Sequence, residues 1–154
     1  MSLVEKRIRQ ILVEQKIAFE EFEHEAVFTC EQAAKVRGLE SAEEGIKSMI
    51  FKTNAGRFIL VLNSGNQRID TRKIAQMEKT KELMLATPKE VERIAGIPIG
   101  CVAPFGLMRK LKTYLHRTLL QKELLYFNPG SHTKTLRIRA KDLIKVLEDP
   151  ILFD

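Results

Sequence analysis

The sequence predicts a mixed α/β fold, an α+β arrangement in which helices cover a mixed, mostly antiparallel sheet. Three observations carry that prediction. Stretches of two-residue alternation outnumber stretches of helical periodicity. Turn sequences of the glycine type, Asn54-Ala55-Gly56 and Asn128-Pro129-Gly130-Ser131, join neighbouring alternating stretches as hairpins. No phosphate-loop or dinucleotide glycine signature is present, which argues against a doubly wound sheet.

The elements follow in chain order. Ser2 and Glu5 form a capping box, and Val4, Ile8, Ile11 and Leu12 recur at helical spacing, so residues 3–16 read as an amphipathic helix. Ile17 to Phe22 is short and alternating, as in an edge strand, with His24 just beyond it. Thr29 and Gln32 make a second capping box, opening a short helix that ends at Gly38 with Cys30, Ala33 and Ala34 inward. Gly45 to Lys52 and Arg57 to Asn63 read as paired strands. The second, FILVLN, is apolar on both faces, which places it centrally with cover on each side. Asp70 is positioned to cap a helix running through Ile74 and Met77. Leu83 to Ala86 is a short strand candidate. Thr87-Pro88-Lys89-Glu90 combines a cap, a first-turn proline and a capping-box glutamate, and its helix ends at Gly96. Lys112 to Arg117, Glu123 to Asn128 and Thr133 to Arg139 read as strands. A last helix carries Ala140, Leu143, Ile144 and Leu147.

Composition bounds the function. At 154 residues the chain is long enough for one domain, residues 1–154, with a real core. With 44% hydrophobic and 30% charged residues it is globular rather than disordered. The formal net charge of +6 favours an anionic partner, nucleic acid ahead of membrane. Cys30 and Cys101 lie far apart without metal-type spacing, which argues for a reducing compartment and against a disulfide scaffold or zinc site. The N-terminus carries charges where a signal peptide needs an apolar run, and no stretch approaches a membrane span. A cytoplasmic location is expected.

The segment Gly96 to Gly106, GIPIGCVAPFG, is uncharged, with three glycines and two prolines. Loops are ordinarily polar, so this one is expected to pack against the core, a partner or a ligand. Glycine permits close approach and positive φ, and proline presets φ and removes a donor. The combination predicts a rigid wall that offers main-chain groups.

Three polar features stand beside it. Lys47 shares a face of its strand with Met49 and Phe51, while Ile46, Ser48 and Ile50 share the other. Its ammonium either snorkels to water or sits in a pocket, where it holds an anionic or carbonyl group. The turn NPGSHT, residues 128–133, is either a plain hairpin or a presenter of main-chain donors to an oxyanion or phosphate. SGNQRID, residues 64–70, supplies Asn66, Arg68 and Asp70, with Asp70 readable as a helix cap. Cys101 is readable as a nucleophile or, more simply, as a small buried thiol. Leu107 to Lys122 holds Arg109, Lys110, Lys112, Arg117 and Lys122 without an acidic residue, and suits an RNA backbone or a solvated face.

These pieces, taken in order, give a resemblance. His24-Glu25, EQAA at Glu31 to Ala34, KSMIFK at Lys47 to Lys52, SGNQRID, ATPKEVERIAGIPIG at Ala86 to Gly100, PFG at Pro104 to Gly106 and NPGSHT occur as they do in one family. The chain resembles the YbaK/prolyl-tRNA-synthetase-associated family of trans-editing aminoacyl-tRNA deacylases over nearly its whole length. The resemblance implies a partly barrel-like sheet and hydrolysis of the ester between a mismatched small amino acid, such as Ala, Cys, Ser or Pro, and its tRNA. It implies no metal or cofactor. The partner implied is the 3′-terminal aminoacyl-adenosine of tRNA, with a synthetase as a further partner. It places the catalytic roles on Lys47 and Gly100. It places substrate binding on His24, Ser48, Met49, Asp70, Cys101, Val102, Ala103, Pro104, Phe105, Gly130, Ser131 and His132. Cys101 and Ala103 stand where many relatives have glycine and a serine or histidine, which bears on the amino acid accepted. The alternative reading is a non-catalytic module that binds aminoacyl-tRNA or a synthetase.

Overall fold

Four α-helices and eight strands are formed by residues 1–26, 35 and 44–154, the residues that this computed structural model describes. The helix expected between Thr29 and Gly38 falls, apart from Lys35, outside them. The first helix, α1 (Leu3–Glu14), begins as its sequence dictates. The Ser2 hydroxyl accepts from the Glu5 amide at 3.2 Å, and the Glu5 carboxylate accepts from the Ser2 amide. Its buried face is Val4, Glu5, Ile8 and Leu12. The Ile17 amide then bonds back to the Leu12 carbonyl, which holds Ile17 in the core rather than in a strand. The edge strand β1 accordingly starts later than expected (Glu20–Glu23).

Two sheets follow. In the larger, β2 (Ile46–Thr53) and β3 (Phe58–Ser64) form the antiparallel hairpin that the Asn54-Ala55-Gly56 turn closes. β4 (Leu83–Leu85) pairs antiparallel with the outer side of β2. β5 (Lys112–His116) and β8 (Ile151–Phe153) extend the other side in parallel, giving the order β4-β2-β3-β5-β8. β3 is central, and every residue from Ile59 to Ser64 is buried. In the smaller sheet, β7 (Lys134–Arg139) lies between β1 and β6 (Leu124–Phe127), antiparallel to both. A parallel bridge between Gly45 and Tyr126 ties the start of β2 to β6. The mixed, mostly antiparallel character holds, but the sheets stay open rather than closing into a barrel. β8 and a 3-10 turn at Arg117–Gln121 were not anticipated. Three residues after a proline are too few to give a periodic signal.

Alternation along β2 and β3 separates two cores. Ile46, Ile50, Leu60 and Leu62 join the larger one, with α1, α3 (Pro88–Ala95) and α4 (Ala140–Val146). Phe51, Ile59 and Val61 join the smaller one, against Ile74 of α2 (Thr71–Glu78), Tyr114 and Phe153. Met77 and Ile144, apolar residues of the predicted helices, are solvent-exposed.

Glu78, at the end of α2, is 6% exposed and carries the smaller core's charge network. It accepts from the Tyr114 hydroxyl at 2.7 Å and from Lys112 Nζ at 2.7 Å, with Arg57 at 3.5 Å. Burial pushes its pKa up, but the Lys112 and Tyr114 hydrogen bonds and the charges of Lys112 and Arg57 outweigh burial and hold it below the usual value. A depressed carboxylate contributes stability above its unfolded pKa, and that contribution is lost as pH falls through the folded one. Glu78→Gln is therefore expected to lower stability at neutral pH and to flatten the stability loss below about pH 4.5. Urea melts of both proteins from pH 3 to 7 check this, and parallel pH curves would refute it.

Candidate functional site

The apolar segment after α3 is a loop with a fixed base and an exposed tip. Its base is closed by amides of Met108 and Arg109, which donate to the Ala95 and Ile94 carbonyls at 3.0 and 3.1 Å. These bonds satisfy acceptors that the helix end would leave unpaired. Ile97, Ala103, Phe105 and Leu107 are buried in the larger core, and Cys101 and Pro104 are buried too, while Pro98, Ile99 and Gly100 reach solvent. Gly100 has φ of +94°, a conformation that side-chain-bearing residues rarely adopt. The Cys101 amide donates to the Pro98 carbonyl at 3.4 Å. The amides of Gly100, Val102 and Ala103 make no hydrogen bond among the described residues. The exposed Gly100 and half-buried Val102 thus present main-chain donors beside an apolar wall, while Ala103 is fully buried.

Burial pushes the Cys101 thiol up to about 11, with the charge of Glu5 acting in the same direction. Its Sγ lies 3.4 Å from the Pro98 carbonyl. A thiol held protonated is a poor nucleophile, so the wall reading, not the nucleophile reading, fits this residue. Iodoacetamide at pH 8 is expected to leave Cys101 unmodified in the folded protein and to alkylate it in urea. Peptide mass spectrometry checks this, and rapid native alkylation would refute it.

The turn after β6 packs against this loop. Asn128 Nδ2 donates to the Gly100 carbonyl at 3.5 Å, and the Phe105 and Phe127 rings lie 5.4 Å apart. Gly130, at φ +93°, sits so close to Ile97 that a Cβ there would come within 2.8 Å of the Ile97 side chain. The hydroxyl of Ser131 accepts from the Thr133 amide at 3.2 Å and shares a hydrogen bond with the Thr133 hydroxyl, which fixes the turn locally. His132 is half-buried at the same turn. His24 is held nearby: its amide donates to the Thr133 carbonyl, and its Nε2 lies 2.7 Å from the Thr135 hydroxyl. Its Nδ1 lies 2.7 Å from the Glu25 carbonyl, so in the neutral ring Nδ1 carries the proton. Both ring nitrogens are therefore engaged.

Lys47 and Asp70 belong to a different neighbourhood. Lys47 is half-buried, and its Nζ donates to the Gln67 carbonyl at 2.9 Å, in the segment between β3 and α2. Among the described residues it makes no hydrogen bond to the apolar loop. Met49, on the same face, packs on the smaller core, whereas Ser48 lies on the face shared with Ile46 and Ile50. Asp70 caps α2, its Oδ1 accepting from the Arg72 and Lys73 amides at 3.1 and 3.3 Å. Two residues were passed over in the sequence: Gln67, whose carbonyl holds Lys47, and Asn128, which was read only as a turn former. The first acts through its backbone and leaves no side-chain signal.

The basic stretch after the loop is partly neutralised in three dimensions. Lys110 pairs with Glu148, Lys112 with Glu78, and Arg117 with Asp154. Arg109 makes no ion pair among the described residues.

The model of the aminoacyl-tRNA editing domain matches residues 24–146. The chain belongs to that family. The match spans the loop, the turn and Lys47 alike, and it bears out the resemblance drawn from the seven ordered pieces. One relative, the Multifunctional Ser/Thr-tRNA deacylase ProXp-y of Escherichia coli (strain K12), is 24% identical over 98% of this chain and 92% of its own length. The uncharacterized protein YwhH of Bacillus subtilis (strain 168) is 33% identical over 75% of this chain and 72% of its own. A crystal structure described as that of a candidate trans-editing enzyme for prolyl tRNA synthetase superposes with a TM-score of 0.85 at 28% identity. That superposition covers 100% of this chain and 97% of the other. No helix among the described residues is long and apolar enough to cross a membrane.

Proposed function

We propose that residues 1–154 act as one editing domain that hydrolyses the ester of mischarged aminoacyl-tRNA in trans, removing a small amino acid such as Ala, Cys, Ser or Pro. The observation that carries this reading is the junction of the Gly100 loop with the Asn128–Thr133 turn, in a chain of the editing family. Ester hydrolysis needs an oriented carbonyl and donors aimed at the oxyanion that develops on it. The amides of Gly100 and Val102 supply such donors, and Cys101, Ala103, Pro104 and Phe105 close the pocket to larger side chains. Lys47 contributes positive potential and anchors the terminal ribose-phosphate, two of its N–H groups remaining beyond the one given to Gln67. Ser131 and His132 shape the adenosine end, with Gly130 setting the turn. The tRNA is the anionic partner that the net charge favours, a synthetase is a docking partner, and the cytoplasm is where both are met.

An apolar pocket separates substrates that differ by one methylene by only about 1–3 kcal/mol, so a synthetase site leaves errors for a second pocket of different shape to remove. The test is incubation with a panel of tRNAs mischarged with Ala, Ser, Thr, Cys and Pro. Turnover of at least one, well above spontaneous hydrolysis, is the expected result. Tight binding without turnover would refute the enzyme.

A further inference from the structure

Asn128 holds a buried acceptor, its Oδ1, which is closed off from solvent and has no hydrogen-bond partner among the described residues. Its amide orientation is set by the Gly100 carbonyl, which Nδ2 faces at 3.5 Å. The flipped amide would set two oxygens against each other. Buried polar atoms are almost always satisfied, and unsatisfied ones at a wall of main-chain donors point to a ligand that brings N–H groups.

We infer that Asn128 is a substrate-binding residue whose Oδ1 accepts a hydrogen bond from the α-ammonium of the aminoacyl ester. The inference rests on the editing reading of the Gly100 loop. The chemistry matches in each respect. The α-ammonium has three donors, no acceptor and a positive charge, so a neutral amide oxygen takes one of them without forming a buried ion pair. It sits one bond from the carbon that carries the carbonyl, and Asn128 is tied to Gly100, at the start of the donors for that carbonyl. Reading the ammonium would place the carbonyl for every small amino acid alike, leaving side-chain selection to Cys101, Val102 and Ala103.

The test uses non-hydrolysable 3′-aminoacylamino-3′-deoxyadenosines carrying serine, N-acetylserine or alanine, with affinities measured by calorimetry. Asn128→Ala is expected to weaken the seryl and alanyl compounds by roughly 10- to 100-fold and to leave the N-acetylseryl compound unchanged. Equal loss on all three compounds, loss confined to the seryl one, or no loss would each overturn the inference. Failure of the wild-type protein to bind any of them would overturn it too, while turnover in the mischarged-tRNA panel would leave the editing reading standing.

Discussion

Lys47→Ala is expected to lower deacylation of mischarged tRNA by roughly 10²–10³-fold, the scale on which single preorganised charge-stabilising groups act, and to leave the fold in place. The structural half of that expectation follows from its surroundings. Lys47 is half-buried, and among the described residues its ammonium makes one hydrogen bond, to the Gln67 carbonyl. The segment around Gln67 is held independently. Gln67 N–H bonds to the Ser64 carbonyl, Gly65 N–H to the Gly45 carbonyl, and the Ser64 hydroxyl to Asn66. Removing the ammonium frees one carbonyl at a partly exposed position, a small loss. The functional half follows from charge. The carbonyl bond orients the ammonium, leaving two donors and a full positive charge for an anionic or developing-anionic group. Lys47→Arg should not restore activity, because the planar guanidinium cannot reproduce a compact point charge. Single-turnover deacylation with a circular-dichroism control checks both halves. Unchanged turnover in Lys47→Ala would sink the assigned role.

Gly100→Val has the second large effect, and it works through the backbone. At φ +94° a β-branched residue is strained by about 1–3 kcal/mol. The exposed tip relieves that strain by moving, since Pro98, Ile99 and Gly100 are not packed in the core. The protein is therefore expected to stay folded, with a melting temperature only a few degrees lower, about 2–4 °C per kcal/mol for a chain of this size. The moved tip takes the Gly100 amide and carbonyl with it, and displacement of reacting groups by about 1 Å costs roughly 10²-fold in rate. A folded variant with deacylation down by about 10²-fold is the expected result. Normal activity would mean that Gly100 does not line the pocket.

Much of this was legible in the chain because it is local. The Ser2–Glu5 and Thr87–Glu90 capping boxes form as read, since each joins groups three residues apart. Asp70 caps its helix for the same reason. The run of apolar residues on both faces of β3 required cover on each side, and the strand is central. The alternation in β2 correctly separated Lys47 from Ile46 and Ile50, because side chains of a strand point to opposite faces. The unusual loop was visible as a composition that solvent would not favour.

Other features were beyond such signals. Lys47 is taken up by the Gln67 main-chain carbonyl, which no side chain marks in the sequence. The basic run from Leu107 to Lys122 read as one cationic strip, yet its partners Glu78, Glu148 and Asp154 come from three separate places. Asn128 looked like a turn residue, and only its packing beside Gly100 leaves one oxygen buried and unsatisfied.

The sequence by itself determined the elements, the faces of the central hairpin, the rigid loop and the family. Tertiary structure alone decided which neighbours those elements acquire. It placed Lys47 against the Gln67 carbonyl rather than against the loop, and it packed the Asn128–Thr133 turn against the Gly100 loop. The physical reason is range. Caps, turns and alternation are set by residues within one or two turns of chain, whereas contacts between β2, β6 and the loop depend on how sheets pack, which no local pattern encodes.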